Sequence, residues 1–290
     1  MVGFPASRLL DLHVCPMFTG PVPHVGGPVL PPCMVTVLTG KRPQARISDM
    51  AVCVGPPDVI VAGAATVLVG GLPAARILDS TAHGGILVLG EFTVLIGGPA
   101  FKLPPNIKLE GSPSFQQKTI RDLYMLSTTP TGKQLIDDLG ASGQPVTIVE
   151  HSGTNGFCTP NDGTKAANGT GTGSVIQYNP DYRSNAYDSS GNLIAQPSQV
   201  ILAHEMAHAR ANANGNQAQG TDTAPPTSEP NIDAEEAQAI GTGSYNGTSP
   251  SENSLRQDLG LPRRDNHFGT GGPTAGEPPP VNLRPGSPPL

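Results

Sequence analysis

The 290-residue chain is poor in aromatic residues (4%, with no tryptophan), in charge (14%) and in cysteine (4 residues). Set against 36 glycines and 32 prolines, the shortage of aromatics argues against a helix-rich bundle. It favours turn-dense β structure with irregular segments. No apolar run reaches the ~18 residues of a transmembrane helix, so stable membrane insertion is not expected. There is no basic excess: a net charge of −6 and an isoelectric point near 5.6 exclude the electrostatic footprint of a nucleic-acid binder. The opening MVGFPASRLLDLHVCP has neither the charged region nor the apolar region of a cleaved signal. The chain is therefore expected to be made in the cytoplasm, with any export depending on another carrier. In that compartment Cys15, Cys33, Cys53 and Cys158 are expected to be reduced or metal-bound rather than paired. The length allows about two domains.

Two regions with different patterning are present. Residues 1–100 consist of short β-branched runs (VTVLTG, ATVLVGG, FTVLIGG) broken by Gly and Pro, the pattern of strands and turns. An internal repeat aligns RPQARISDMAVC (42–53) with LPAARILDSTAH (72–83) at an offset of 30, which superimposes Asp49 on Asp79 and Cys53 on His83. Together with His13 and His24, these supply three imidazoles and a thiolate, a set that suits tetrahedral structural zinc. A unit with so little core would be held by such a clip.

PAAR at 73–76, followed by LDSTAHGG and VLIGG, resembles the PAAR-repeat proteins that form the tip of the bacterial type VI secretion spike. PQAR at 43–46 is a degenerate first copy. The resemblance implies an all-β cone that caps a trimeric spike (VgrG-type) protein and holds a structural zinc. It carries ligand roles onto His13, His24, Cys53 and His83, with Cys15 as the rival ligand.

Residues 101–114 (GGPAFKLPPNIKLEGSPS spans 97–114) read as a linker, because Pro-Pro and Gly-Ser-Pro steps disfavour regular structure. From Phe115 the period changes. Ile120, Leu123, Tyr124 and Leu126, then Leu135, Ile136 and Leu139, fall at helical spacing. Thr131 is the expected cap of the second helix and Gly140 its expected end. PVTIVEH (145–151) and SVIQYNP (174–180) read as strands. Residues 269–290, rich in Pro and Gly and without apolar periodicity, are expected to be a disordered tail.

QVILAHEMAHAR (199–210) places His204 and His208 four apart around Glu205. On a helix begun near Pro197–Ser198 and ended by Gly215, two such histidines share one face and can hold one metal. Glu205, about 100° around the helix, can serve as base toward a water. A third ligand is expected in NIDAEEAQAIG (231–241), on a short helix begun at Asn231 or Asp233 and stopped by Gly241, where Glu235 and Glu236 are the candidates.

These motifs, with TPTGKQLIDDL and SENSLRQDLGLPRR, make residues 115–268 resemble the HExxH effector metallopeptidases of secreted bacterial toxins, of the gluzincin class. That resemblance implies an α+β zincin-like domain with a catalytic zinc. Its Glu-Glu pattern points to Glu236 as third ligand, with Glu235 the alternative. Tyr245 and Arg256 are the expected oxyanion donors. The two halves together imply a type VI effector, injected into a target cell, that cuts a protein or peptide. A producer attacking bacteria would need a cognate immunity protein. The rival expectations are a spike tip with an idle extension and a zinc hydrolase of peptidoglycan peptides.

Overall fold

The computed structural model describes residues 3–98, 100–153, 156–182, 184–188, 190, 192–226 and 231–267. It divides into two compact units, residues 1–103 with 111–121 and residues 104–110 with 122–290. The expected tail, 269–290, lies outside the described residues. Among the described residues no helix is long and apolar enough to cross a membrane.

The first unit is strand-rich and has three copies of one corner, where the sequence had shown two. Arg8–Asp11, Arg46–Asp49 and Arg76–Asp79 each form the same clasp: the Arg backbone N–H donates to the Asp carboxylate at 2.8 Å in all three. Each guanidinium then returns to that carboxylate. The clasp holds a turn in which Leu10, Ser48 and Leu78 take φ of 69°, 69° and 72°, a left-handed conformation that costs a non-glycine residue about 1–2 kcal/mol. Just before the clasps, Ser7, Ala45 and Ala75 close a ring of backbone hydrogen bonds: Ser7 N to Ala75 O at 2.9 Å, Ala45 N to Ser7 O at 3.0 Å and Ala75 N to Ala45 O at 2.9 Å. The Gln44 amide nitrogen donates to all three ring carbonyls, at 2.8, 3.0 and 3.1 Å. At the two equivalent positions stand buried Ala6 and Ala74.

Each corner is entered by a strand that pairs with a longer, exposed one: Arg42–Gln44 with Met34–Thr39, Leu72–Ala74 with Ala62–Val69, and Phe4–Ala6 with Glu91–Ile96. The third pair joins the two ends of the unit. That split hides the third copy from a linear alignment, because its outer strand lies some eighty residues downstream of its corner.

In the second unit a four-stranded sheet runs in the order Ile107–Glu110, Val146–Glu150, Ser174–Tyr178, Phe157–Pro160. The first three strands are parallel and the last is antiparallel. Leu135, Leu139, Ile148, Ile176, Leu202 and Met206 are fully buried and make its core. The expected linker is thus strand in two places. Ala100–Lys102 pairs with Ala62–Ala64, and Ile107–Glu110 is the outer strand of the sheet. Pro104 is instead part of a turn, in which Ile107 N donates to its carbonyl. Asn106 ties that turn to the carbonyls of Leu139 and Gln144.

The helix Pro130–Ser142 is capped by Thr129, whose hydroxyl accepts from Gly132 N, and ends at Gly143 with φ 66°. The expected Thr131 and Gly140 lie inside it, since Pro130 takes the first turn, where its missing N–H costs nothing. The helix Ser198–Asn214 ends at left-handed Gly215, and Ala234–Ile240 ends at left-handed Gly241, both as expected. Ser198–Asn214 is buried on nearly all sides, with alanines at 203, 207, 209 and 211 letting its neighbours approach.

Candidate active site and metal centres

Burial sets the problem in the second unit. His204, Glu205 and His208 lie on the buried helix at 5%, 6% and 7% exposure, so each polar head needs a partner. His204 Nε2 lies 3.0 Å from Glu236 Oε2 and 3.2 Å from His208 Nε2. Glu236 Oε2 is 3.5 Å from His208 Nε2. A tetrahedral metal with bonds of ~2.0–2.1 Å holds its ligand atoms about 3.3 Å apart, so these three atoms form a face that fits zinc. Glu235, the alternative, instead takes a hydrogen bond from the Gln217 amide.

The charges agree with that fit. Burial would push the Glu236 carboxyl up, but the two imidazoles outweigh it and hold it well below the usual range. Burial opposes a proton on His204, yet Glu236 and Glu252 raise its pKa to about 10. Ionised carboxylates on both sides of one imidazole call for a positive charge between them, which a dication on Nε2 supplies. Glu205 differs: desolvation raises its carboxyl, offset only in part by the histidines. A base that can take and return a proton is tuned in this way. The backbone at Gly156 approaches Glu205 so closely that a Cβ there would lie 2.8 Å from its Cγ and Oε1.

Three residues that the sequence reading passed over complete the site. Glu252, fully buried, lies with Oε2 3.0 Å from His204 Nδ1 and 2.7 Å from Arg264 Nη1, while its Oε1 accepts from Arg256 Nε at 2.7 Å. Despite burial, the two guanidiniums and His204 keep it ionised. A carboxylate on the far nitrogen of a ligand histidine fixes its tautomer and orientation. His267, half-buried, places Nε2 3.4 Å from Glu236 Oε2, with its ring parallel to that of His204 at 6.5 Å. For Glu252 and Arg264 the available signal was the segment SENSLRQDLGLPRR (251–264), in which only Arg256 was given a role; His267 lies beyond it.

The expected oxyanion donors fare differently. Arg256 is wholly buried and committed to Glu252 and to the carbonyls of Ala195 and Pro262, so its charge holds the carboxylate rather than facing a substrate. Tyr245 packs against the cluster of Ile232, Ala237 and Ile240.

In the first unit, ligand atoms of Cys15, His24, Cys53 and His83 lie within 4.8 Å of one another. This corrects the expected set, in which His13 stood where Cys15 stands. The third corner explains it: Cys15, Cys53 and His83 each lie four residues after the aspartate of their clasp (Asp11, Asp49, Asp79). Applied to RLLDLHVC, the repeat would have picked out Cys15. His13 is turned into the interior, with Nδ1 2.9 Å from Gly27 O and Nε2 3.3 Å from Asp58. His24 Nδ1 faces the Cys53 sulfur at 3.5 Å, and its Nε2 meets the Thr19 hydroxyl at 2.7 Å. Burial and the adjacent Cys15 push the Cys53 thiol up to about 12, so it would ionise near neutral pH only beside a cation. Two sulfurs and two imidazoles suit zinc.

The chain thus has a strand-rich unit and an α+β unit, each with a candidate metal cluster. Comparison with known families agrees. Residues 104–267, more than half of the chain, match the Peptidase_M91 family, described as effector protein, and residues 19–89 match the PAAR motif. The chain belongs to the Peptidase_M91 effector family and carries a PAAR motif ahead of that domain. A comparison with curated protein sequences finds no match. Similar solved structures include the light chain of Clostridium botulinum neurotoxin serotype F (13% identity, 44% of each chain, TM-score 0.36). The light chain of botulinum neurotoxin serotype HA is another (16% identity, 50% of this chain and 46% of that one, TM-score 0.38). The chain spans less than half the length of these light chains.

Proposed function

We propose that this chain is a type VI secretion effector whose PAAR tip carries a zinc-dependent metallopeptidase into a target cell. The observation that carries the reading is the face formed by His204, His208 and Glu236, with ligand atoms 3.0–3.5 Å apart beside the raised carboxyl of Glu205. These three residues would hold zinc, which supplies Lewis acidity for a scissile carbonyl and lowers the pKa of water.

Glu205 takes the proton of the attacking water and returns it to the leaving amine. Glu252 holds His204 so that Nε2 faces the ligand site. For the donor that meets negative charge on the carbonyl oxygen, the geometry favours His267 over Tyr245 and Arg256. His267 alone of the three has a ring nitrogen at the ligand cluster and keeps part of its side chain in solvent.

For the tip, Cys15, His24, Cys53 and His83 would hold a second, structural zinc. The strands Met34–Thr39, Ala62–Val69 and Glu91–Ile96 expose Val35, Leu38, Leu68, Phe92 and Leu95. Three equivalent apolar strands match the three-fold end of a trimeric spike protein. A producer that attacks bacteria would need a neutralising partner for the peptidase.

The test measures zinc content and peptide cleavage of the full chain beside Glu205→Gln, with toxicity in cells exposed to each. Zinc retained with cleavage and toxicity abolished is expected. A Glu205→Gln protein that still cleaves at the wild-type rate would overturn the peptidase reading.

A further inference from the structure

Behind the tip cluster lies a knot of buried polar groups that the ligand set does not use. Asp58 is fully buried, as is the side chain of His13. Asp58 Oδ1 accepts from the backbone N–H of Val59 at 2.8 Å and of His83 at 3.0 Å. Its Oδ2 lies 3.3 Å from His13 Nε2 and 3.9 Å from His83 Nδ1. His13 Nε2, Asp58 Oδ2, Thr81 Oγ1 and His83 Nδ1 are all buried without a closed hydrogen bond.

Unpaired buried polar atoms are rare, and each costs about 1–3 kcal/mol, so a carboxylate oxygen and three neighbours together need a common cause. His24 shows what that cause is: Thr19 occupies its Nε2, leaving Nδ1 toward the Cys53 sulfur. For His83 the group on the far nitrogen is Asp58.

We propose that Asp58 and His13 are a buried positioning pair for the tip metal, in which Asp58 accepts a hydrogen bond from the Nδ1–H of His83, leaving Nε2 as ligand atom, while His13 holds Asp58. The proposal rests on the reading of Cys15, His24, Cys53 and His83 as a metal site. It makes His13 a support for a ligand rather than a ligand. It also explains why a histidine sits two residues before Cys15 with its Nδ1 at the Gly27 carbonyl, a contact that holds the ring in the interior. Partners of this kind are worth 10–100-fold in metal affinity.

Cobalt(II) in place of zinc separates the possibilities in the full chain. The peptidase cluster contains no sulfur, so the sulfur-to-cobalt charge-transfer band reports the tip alone. Asp58→Leu should weaken tip binding 10–100-fold with the band unchanged in position. Asp58→Asn keeps an acceptor and should recover much of that loss. His13→Gln should lower affinity less and leave the ligand-field spectrum as it is. Nitrogen-15 shifts of metal-loaded wild type should show His83 protonated on Nδ1, a measurement that does not depend on any variant folding. A shifted spectrum in His13→Gln would make His13 a ligand and overturn the proposal. So would His83 bound through Nδ1, or unchanged affinity in Asp58→Leu. A wild-type protein without any sulfur band would remove the tip metal itself, a separate failure.

Discussion

The two metal clusters are built in opposite ways. In the first unit the four candidate ligands come from three copies of one corner plus His24, and the surrounding core is small: Val29, Cys33, Ala45, Ala51, Ile60, Ala75 and Leu87 form its larger cluster. In the second unit three ligands stand on two helices that already belong to a packed sheet-and-helix core, braced by Glu252, Arg256 and Arg264. Four protein ligands close a structural site, whereas three leave a position for a substrate. On the proposed reading, the difference teaches that one metal would supplement a small core and the other would be presented by an existing one.

Removing the metals should therefore separate the units, and this is the largest effect expected. Structural zinc contributes apparent free energies of about 10–16 kcal/mol in small domains. Chelation, or Cys15→Ala, should abolish hydrogen-exchange protection around residues 12–25, 50–58 and 80–87, while the helix Ser198–Asn214 keeps its protection. Equal loss in both units would erase the distinction.

Next in size is Glu205→Gln. Turnover should fall by roughly 10²–10⁴-fold, the usual worth of a positioned base, with two zinc ions retained on elemental analysis. Glu252→Gln should be milder, weakening metal at the peptidase cluster by about 10–100-fold, as read by competition with a chromophoric chelator. Loss of metal from the tip in that variant would contradict the separation of the two sites. The smallest change is Ser251→Ala. Ser251 and Ser254 form a reciprocal cap on the helix Glu252–Asp258, and its loss should cost about 1 kcal/mol in denaturant unfolding with little change in cleavage.

What could be read from the sequence follows the range of the interactions. The HExxH helix and its ends were legible, because its chemistry lies within one turn and Gly215 closes it. Glu236 was legible as one of a pair, but only the fold shows Glu235 turned to Gln217. Cys15 stood only as the rival to His13 because the repeat is closed by strands from opposite ends of the unit, Phe4–Ala6 and Glu91–Ile96. A linear comparison therefore sees two copies where space holds three. The linker reading failed for a related reason: Ile107–Glu110 is a strand through its partner Val146–Val149, and nothing local announces it. Glu252, Arg264 and His267 are brought to His204 and Glu236 across tens of residues, so no spacing rule selects them.

The Gln44 amide, held by three carbonyls of one ring, shows something about covalent repeats. A trimer of identical chains must put three copies of every side chain around its axis, and the axis has room for one. Writing the three corners into a single polypeptide lifts that restriction. One position can carry glutamine while its counterparts shrink to Ala6 and Ala74, and the centre is filled by an odd member that strict symmetry would forbid. Imperfect repetition is in this sense a packing solution, and a variant restored to perfect repetition, with Gln44 made alanine, would leave a hollow bounded by three carbonyls that keep only their backbone hydrogen bonds.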